Sequence, residues 1–190
     1  MIDSEFLLDA YRGGFFPMAD AHTGEIRWYS PDPRGVIELS AFKIPRSLRL
    51  TMQKGATEVR LNGKFEDVMR GCADRKETWI SEEIITSYVA LHRLGFAHSV
   101  EAWAGERLVG GLYGVAIGGA FFGESMFSRE RDASKVALAH LVERLKDKGF
   151  QLLDTQFLTP HLARFGGREI PRAEYLARLR SAVPLQRSFI

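Results

Sequence analysis

Apolar positions recur at intervals of three and four along some stretches of the chain and alternate along others, with glycines or prolines between most blocks. Glu5, Phe6, Leu7, Leu8 and Tyr11 predict a short helix capped by Ser4 and stopped at Gly13-Gly14. Between Phe15 and Arg34 three prolines interrupt the pattern, which predicts irregular chain with one short strand at Ile26 to Tyr29. Further strands are expected at Val36 to Leu39 and Glu58 to Leu61, and helices at Arg46 to Lys54 and Phe65 to Ala73.

The second half is more regular. Ile84, Ile85, Tyr88 and Leu91 mark a helix from Ser81 to Leu94, ended by Gly95. His98 to Ala102, Arg107 to Val115 and Ala120 to Ser125 read as strands joined by short turns, and such strands pair antiparallel. Ser134 to Lys148 is the best helix: Ser134 can cap it, Val136, Leu138, Leu141, Val142 and Leu145 form its apolar side, and Gly149 stops it. A strand at Gln151 to Phe157 and a helix at Ala173 to Ser181 follow. A strand, a helix and a second strand form a crossover unit, so the chain reads as α+β with a mixed sheet and a cleft where the two strands part.

Composition narrows the class. With 190 residues, 45% apolar and 26% charged, the chain is of single-domain size and globular. Its one cysteine, Cys72, excludes an internal disulfide and a multi-thiolate metal site. No basic segment followed by an apolar run opens the sequence, and Leu108 to Phe122 is shorter than the roughly 20 residues a bilayer needs. These features point to a cytoplasmic protein without a membrane partner. The net charge of +2 hides a gradient: residues 1–42 hold three basic against seven acidic residues, and residues 43–76 hold nine against four. Lys43, Arg46, Arg49, Lys54, Arg60, Lys64, Arg70, Arg75 and Lys76 could track a phosphate backbone or form a solvated face.

Glu124, Asp154 and Gln156 are polar groups in or beside apolar strands, where an unpaired charge is costly. Alternation puts Asp154 and Gln156 on one face, and parallel neighbouring strands would bring Glu124 toward them. The alternative is that Asp154 pairs with an arginine and Gln156 satisfies backbone groups. Ser134-Lys135 could hold an anion at a helix start or simply cap it. Met126 and Phe127 beside Glu124 suit an apolar pocket with one acid, or plain core. No histidine pair has metal spacing and no nucleophile pattern is present.

Several blocks, in order, resemble the leucyl/phenylalanyl-tRNA–protein transferase family: Tyr11-Arg12-Gly13-Gly14-Phe15-Phe16-Pro17, Trp28 to Gly35, Thr78-Trp79-Ile80, His98 to Glu101, Val109 to Val115, Phe122 to Ser128, Ala133-Ser134-Lys135, Asp154-Thr155-Gln156 and Glu169 to Arg172. The resemblance covers nearly the whole chain from Tyr11 to about Leu179. It implies an enzyme that moves Leu or Phe from aminoacyl-tRNA to proteins with N-terminal Arg or Lys, marking them for degradation, with no cofactor and no metal. It also implies an acyltransferase domain like those of the GNAT superfamily, taken here as residues 41–190, after a small N-terminal segment, 1–40, that is shortened relative to many members. A monomer is expected.

By the same resemblance, Asp154 and Gln156 match the pair that draws the proton from the acceptor amine, with Asp154 polarising the Gln156 amide. Glu124 is expected to pair with the cationic acceptor side chain, Met126 to line the Leu/Phe pocket, and Trp79 and Tyr88 to hold the aminoacyl-adenosine end. Met18-Ala19-Asp20 departs from the aromatic continuation of some members. Alternatives are a related transferase with changed donor or acceptor, an acyl-CoA-dependent N-acyltransferase, and a noncatalytic tRNA- or N-degron-binding module.

Overall fold

The computed structural model describes residues 1–55 and 57–190. Helix α1 (Ser4–Arg12) is followed by strands β1 (Phe16–Ala19) and β2 (Ile26–Tyr29), which pair with each other antiparallel. Strand β3 (Arg34–Ile37) leads through a 3₁₀ turn at Leu39–Ala41 to helix α2 (Arg46–Gln53), strand β4 (Glu58–Leu61) and helices α3 (Phe65–Ala73) and α4 (Glu82–Arg93). Three long strands follow, β5 (Ala97–Ala104), β6 (Arg107–Ile117) and β7 (Ala120–Ser128). Helix α5 (Ala133–Asp147) crosses to strand β8 (Leu152–Gln156), and the chain closes with α6 (Pro160–Ala163), β9 (Gly167–Ile170) and α7 (Arg172–Ala182).

The larger sheet runs β4-β5-β6-β7-β8-β3-β9, antiparallel throughout except for the parallel pair β7 and β8 joined by α5. The expected mixed α+β sheet with a crossover is therefore present. Its two faces bury alternate side chains. Leu112, Phe121 and Leu153 pack with α5 and α2, while Tyr113, Phe122 and Leu152 pack with α1, α3, α4 and α7. No helix among the described residues is long and apolar enough to cross a membrane.

The differences from the sequence expectations have local causes. Asp3, not Ser4, caps α1: its carboxylate accepts from the Phe6 N–H at 3.0 Å, and Ser4 is already helical. Ser134 does not cap α5 either. The cap position is Asp132, held at φ 64° with no side-chain cap bond, and the Ser134 N–H donates to Ser128 Oγ at 3.1 Å. The stretch read as irregular contains β1, which tolerates Pro17 because a two-stranded sheet leaves both outer edges unpaired. Strand β3 begins at Arg34, two residues early, where Arg34 and Gly35 pair with β9, and it ends at Ile37 because Leu39 enters the 3₁₀ turn. At four residues each, α6 and β9 are too short to show a period.

Two irregularities shape the middle of the sheet. Tyr113 faces Ser125 and Gly114 faces Gly123, so Glu124 is an extra residue bulged out of β7. On β8, Gly35 faces Gln156 and Val36 faces Asp154, so Thr155 is extra in the same way. Each bulge is opposed by a glycine that has no room for a side chain. A Cβ on Gly114 would lie 2.3 Å from the Phe122 carbonyl oxygen, and one on Gly35 would lie 2.6 Å from the Phe157 backbone. Bulges re-aim side chains and end pairing. The parallel ladder of β7 and β8 stops at Phe122 and Asp154, and beyond it the strands part.

Candidate active site

The parted strands border a cavity of about 270 Å³. Leu138 and Leu141 of α5, Leu112, Leu153 and Leu162 form one apolar side, and Tyr113, Glu124 and Gln156 supply polar groups. Met18, Arg75, Trp79, Met126, Phe157 and His161 also contribute to its wall. Apolar clefts with a few convergent polar groups at the ends of parallel strands are common ligand sites.

Glu124 is almost wholly buried, and its two oxygens differ in environment. Oε1 accepts from the Tyr11 hydroxyl at 2.6 Å and from the Gln156 amide at 2.8 Å. Oε2 is itself buried and has no hydrogen-bond partner among the described residues. Tyr11 gives its only proton to Glu124, so the hydroxyl of Tyr88, in contact with that of Tyr11, donates to Tyr11 in turn. Burial pushes the Glu124 carboxyl up to about 8, with the nearby Asp154 charge adding to the effect and the Tyr11 and Gln156 bonds opposing it.

Asp154 is fully buried and saturated. Its Oδ1 accepts from Arg34 Nε at 3.0 Å and from the Gln156 backbone N–H at 2.8 Å. Oδ2 accepts from Arg34 Nη2 at 2.7 Å and from the Tyr175 hydroxyl at 2.8 Å. Arg34 is itself held by the Gly14 carbonyl and lies over the rings of Phe16 and Tyr175. The sequence alternative in which Asp154 pairs with an arginine is therefore the observed geometry. The Gln156 side-chain amide turns to Glu124 rather than to Asp154. Its backbone is left-handed, at φ 64°, and the Asp154 bond to its N–H fixes it there.

Of the other sequence candidates, Met126 and Trp79 line the cavity with Glu124 and Gln156, and three lie elsewhere. Tyr88 is buried behind Tyr11. Phe127 packs against Gly71, where a Cβ would meet its ring at 2.8 Å. Ser134 borders a separate surface recess with Ser128, Arg129, Arg131 and Lys135. The Cys72 thiol is pushed up to about 12 by burial, which leaves it no nucleophilic form near neutrality.

The basic segment is mixed. Arg60 pairs with Glu58, and Arg70 with Glu66 and Glu82. Lys43, Arg46, Arg49, Lys54, Lys64 and Lys76 are exposed and make no ion pair among the described residues. Arg75 is pinned at the cavity by bonds to Ser125 Oγ at 3.1 Å and the Met126 carbonyl at 2.7 Å.

Sequence reasoning assigned no role to Tyr11, Arg34, Tyr113, Thr155 or Tyr175. The first four lie in the family-like blocks, which is the one available signal, whereas nothing local marks Tyr175.

Comparison with known proteins matches this arrangement to one family. Residues 36–180 match the family model described as leucyl/phenylalanyl-tRNA protein transferase, and residues 1–32 match the model for that protein's N-terminal domain. The chain is 58% identical to the leucyl/phenylalanyl-tRNA–protein transferase of Rubrobacter xylanophilus, covering 97% of both chains. Identity to the one from Gloeobacter violaceus is 55%, over 97% of this chain and 96% of that one. For Chlorobaculum parvum it is 53%, over the whole of both. Among solved structures, L-PGS from Bacillus licheniformis is similar at a TM-score of 0.45 and 14% identity, over 84% of this chain and 55% of that one. With both family models matched in order and relatives aligned end to end, the chain belongs to the leucyl/phenylalanyl-tRNA–protein transferase family.

Proposed function

We propose that the protein moves Leu or Phe from aminoacyl-tRNA to the α-amino group of proteins that begin with Arg or Lys, and so tags them for degradation. The observation that carries this reading is the cavity between β7 and β8, leucine-lined on its α5 side and bordered by Glu124 and Gln156. Its volume of about 270 Å³ suits a medium-sized apolar side chain. The mixed sheet and crossover support the expected likeness to GNAT acyltransferases, with a tRNA 3′ end in place of CoA. The protein works as a monomer in the cytoplasm.

An aminoacyl ester already activates its carbonyl carbon. The enzyme has to position it, supply a neutral amine and stabilise the developing oxyanion. Met126 and the leucines hold the donor side chain. Trp79 stacks on the terminal base, a contact worth about 1–3 kcal/mol. The Gln156 amide nitrogen is engaged by Glu124, so its oxygen faces the acceptor amine and orients it. Asp154 acts as a positioning residue, since it holds the Gln156 backbone and is shut off from substrate by Arg34 and Tyr175. Glu124 draws the cationic end of the acceptor into the cavity. Arg75 and the unpaired basic residues Lys43, Arg46, Arg49, Lys54, Lys64 and Lys76 meet tRNA phosphates.

The test is transfer of labelled Leu or Phe from tRNA to peptides that begin with Arg, Lys or Asp. Transfer to the first two alone is expected. Acylation driven by acetyl-CoA with no need for tRNA would overturn the reading.

A further inference from the structure

The reaction needs a proton acceptor. An N-terminal α-ammonium has a pKa of about 7.7–8.0 and must lose a proton before its lone pair can attack. Gln156 ends in a neutral amide, a very weak base. Asp154 already accepts four hydrogen bonds, two of them from a buried guanidinium. His161 borders the cavity, but it lies on α6 and makes no hydrogen bond to Glu124 or Gln156. Among the described residues Glu124 is the one carboxylate in the cavity wall, and its buried Oε2 has unused accepting capacity that a bound ammonium would fill.

We propose that Glu124, through its unpartnered Oε2, is the catalytic base that takes the proton from the acceptor's α-ammonium. This rests on the transferase reading and reassigns Glu124 from the acceptor's side chain to its α-nitrogen. The geometry favours the ammonium. A guanidinium is best met by both oxygens of a carboxylate, and Oε1 is already filled by Tyr11 and Gln156. A single free oxygen suits one N–H of an ammonium, with the Gln156 amide oxygen beside it for a second.

Oε2 takes one proton from the ammonium, and the freed lone pair forms the N–C bond to the ester carbonyl carbon. As the carbonyl re-forms, the C–O bond to the ribose breaks, and the leaving ribose oxygen takes the second proton from nitrogen. The first proton then leaves Glu124 for solvent, which restores the base.

The surroundings of Glu124 fit this task. Tyr11 of α1, Tyr88 of α4, Tyr113 of β6, Arg34 of β3, Asp154 of β8 and Tyr175 of α7 are titratable groups close enough to act on it, and Arg75 and His161 border the same cavity. The tyrosines are all driven up by burial and stay neutral, and Arg34 and Asp154 offset each other. The resulting carboxyl, raised to about 8, matches the affinity of an α-amine for its proton, so transfer between them is nearly even in free energy.

The experiment is single-turnover transfer from Phe-tRNA at saturating peptide, from pH 6 to 9.5, for the wild type, Glu124→Gln and Glu124→Asp. Peptides begin with Arg or with its neutral isostere citrulline, and Phe-tRNA binding reports folding. Glu124→Gln is expected to lose about 10²- to 10⁴-fold at pH 7. Its residual rate should rise tenfold per pH unit until the amine is free of its proton, with the same loss on both peptides. Glu124→Asp, which keeps the charge, should be slower with a pH profile shaped like that of the wild type, and carries the test if the glutamine variant does not fold. A loss of transfer confined to the Arg peptide, with the wild-type pH profile kept, would overturn the proposal. Absence of transfer by the wild type itself would instead overturn the transferase reading.

Discussion

Arg34 binds Asp154 through both carboxylate oxygens, at 3.0 and 2.7 Å, with neither side chain exposed to solvent. The two residues lie 120 positions apart, on adjacent antiparallel strands, and their pairing ties the segment that follows β2 to the strand that ends in Gln156. Removing one member of a buried pair strands the other charge. Arg34→Met is expected to destabilise the protein by about 3–5 kcal/mol in urea unfolding. Combining it with Asp154→Leu should recover much of that stability without restoring transfer, because the Gln156 N–H then has no anchor. Recovery of transfer by the double variant would show that Asp154 has no positioning role.

Tyr11 couples α1 to the site. Tyr11→Phe removes a donor from Glu124 and the acceptor of the Tyr88 hydroxyl, at a cost of about 1–3 kcal/mol. That donor holds the Glu124 carboxyl down, so its loss should raise the carboxyl further. A fall in transfer of about tenfold is expected, with the pH profile displaced upward. An unshifted profile would mean that Tyr11 serves packing alone.

Gln156 occupies a left-handed backbone conformation at φ 64° that an L residue adopts at a cost of about 1 kcal/mol or more. Gln156→Gly and Gln156→Ala both delete the amide. Thermal or urea unfolding should find the glycine variant more stable than the alanine variant by about 1 kcal/mol, and both should transfer poorly. Equal stabilities would refute backbone strain at this position.

The parts of this site differ in how far the sequence alone exposes them. The span of α3, Phe65–Ala73, follows from its apolar spacing, and the parallel neighbours β7 and β8 follow from a strand-helix-strand order. The convergence of Glu124 and Gln156 was readable from those neighbours. The bulges that aim Glu124 and Thr155 were not, because a bulge is a property of two strands in register and neither sequence contains it alone. The same holds for Tyr11, which reaches Glu124 from 113 residues away. The tyrosine and arginine partners look like core residues until the tertiary fold joins them to a carboxylate.

Met126 borders the donor pocket with the α5 leucines. Met126→Ala should enlarge it and favour Phe-tRNA over Leu-tRNA by about 10-fold in kcat/KM, the scale set by one or two methylenes in an apolar pocket. Competition between the two labelled tRNAs measures the ratio, and an unchanged preference would place the donor side chain elsewhere.

Glu124 also sets a pH dependence of stability. Its carboxyl titrates near 4.5 when unfolded and at about 8 when folded. Between these values the unfolded chain has released a proton that the folded chain keeps, so stability falls as pH rises and levels off above 8. Glu124→Gln should flatten that decline and be the more stable protein at pH 8, as read by urea unfolding across the range. A decline that persists in the variant would assign it to another group.

The most direct test of the central claim, that aminoacyl transfer takes place where β7 and β8 part, is a crystal structure of the protein with a non-hydrolysable phenylalanyl-adenosine. The phenyl ring is expected among Leu138, Leu141 and Met126, with the carbonyl carbon facing Glu124 and Gln156. An analogue seated instead in the recess at the start of α5, beside Ser134 and Lys135, would contradict it.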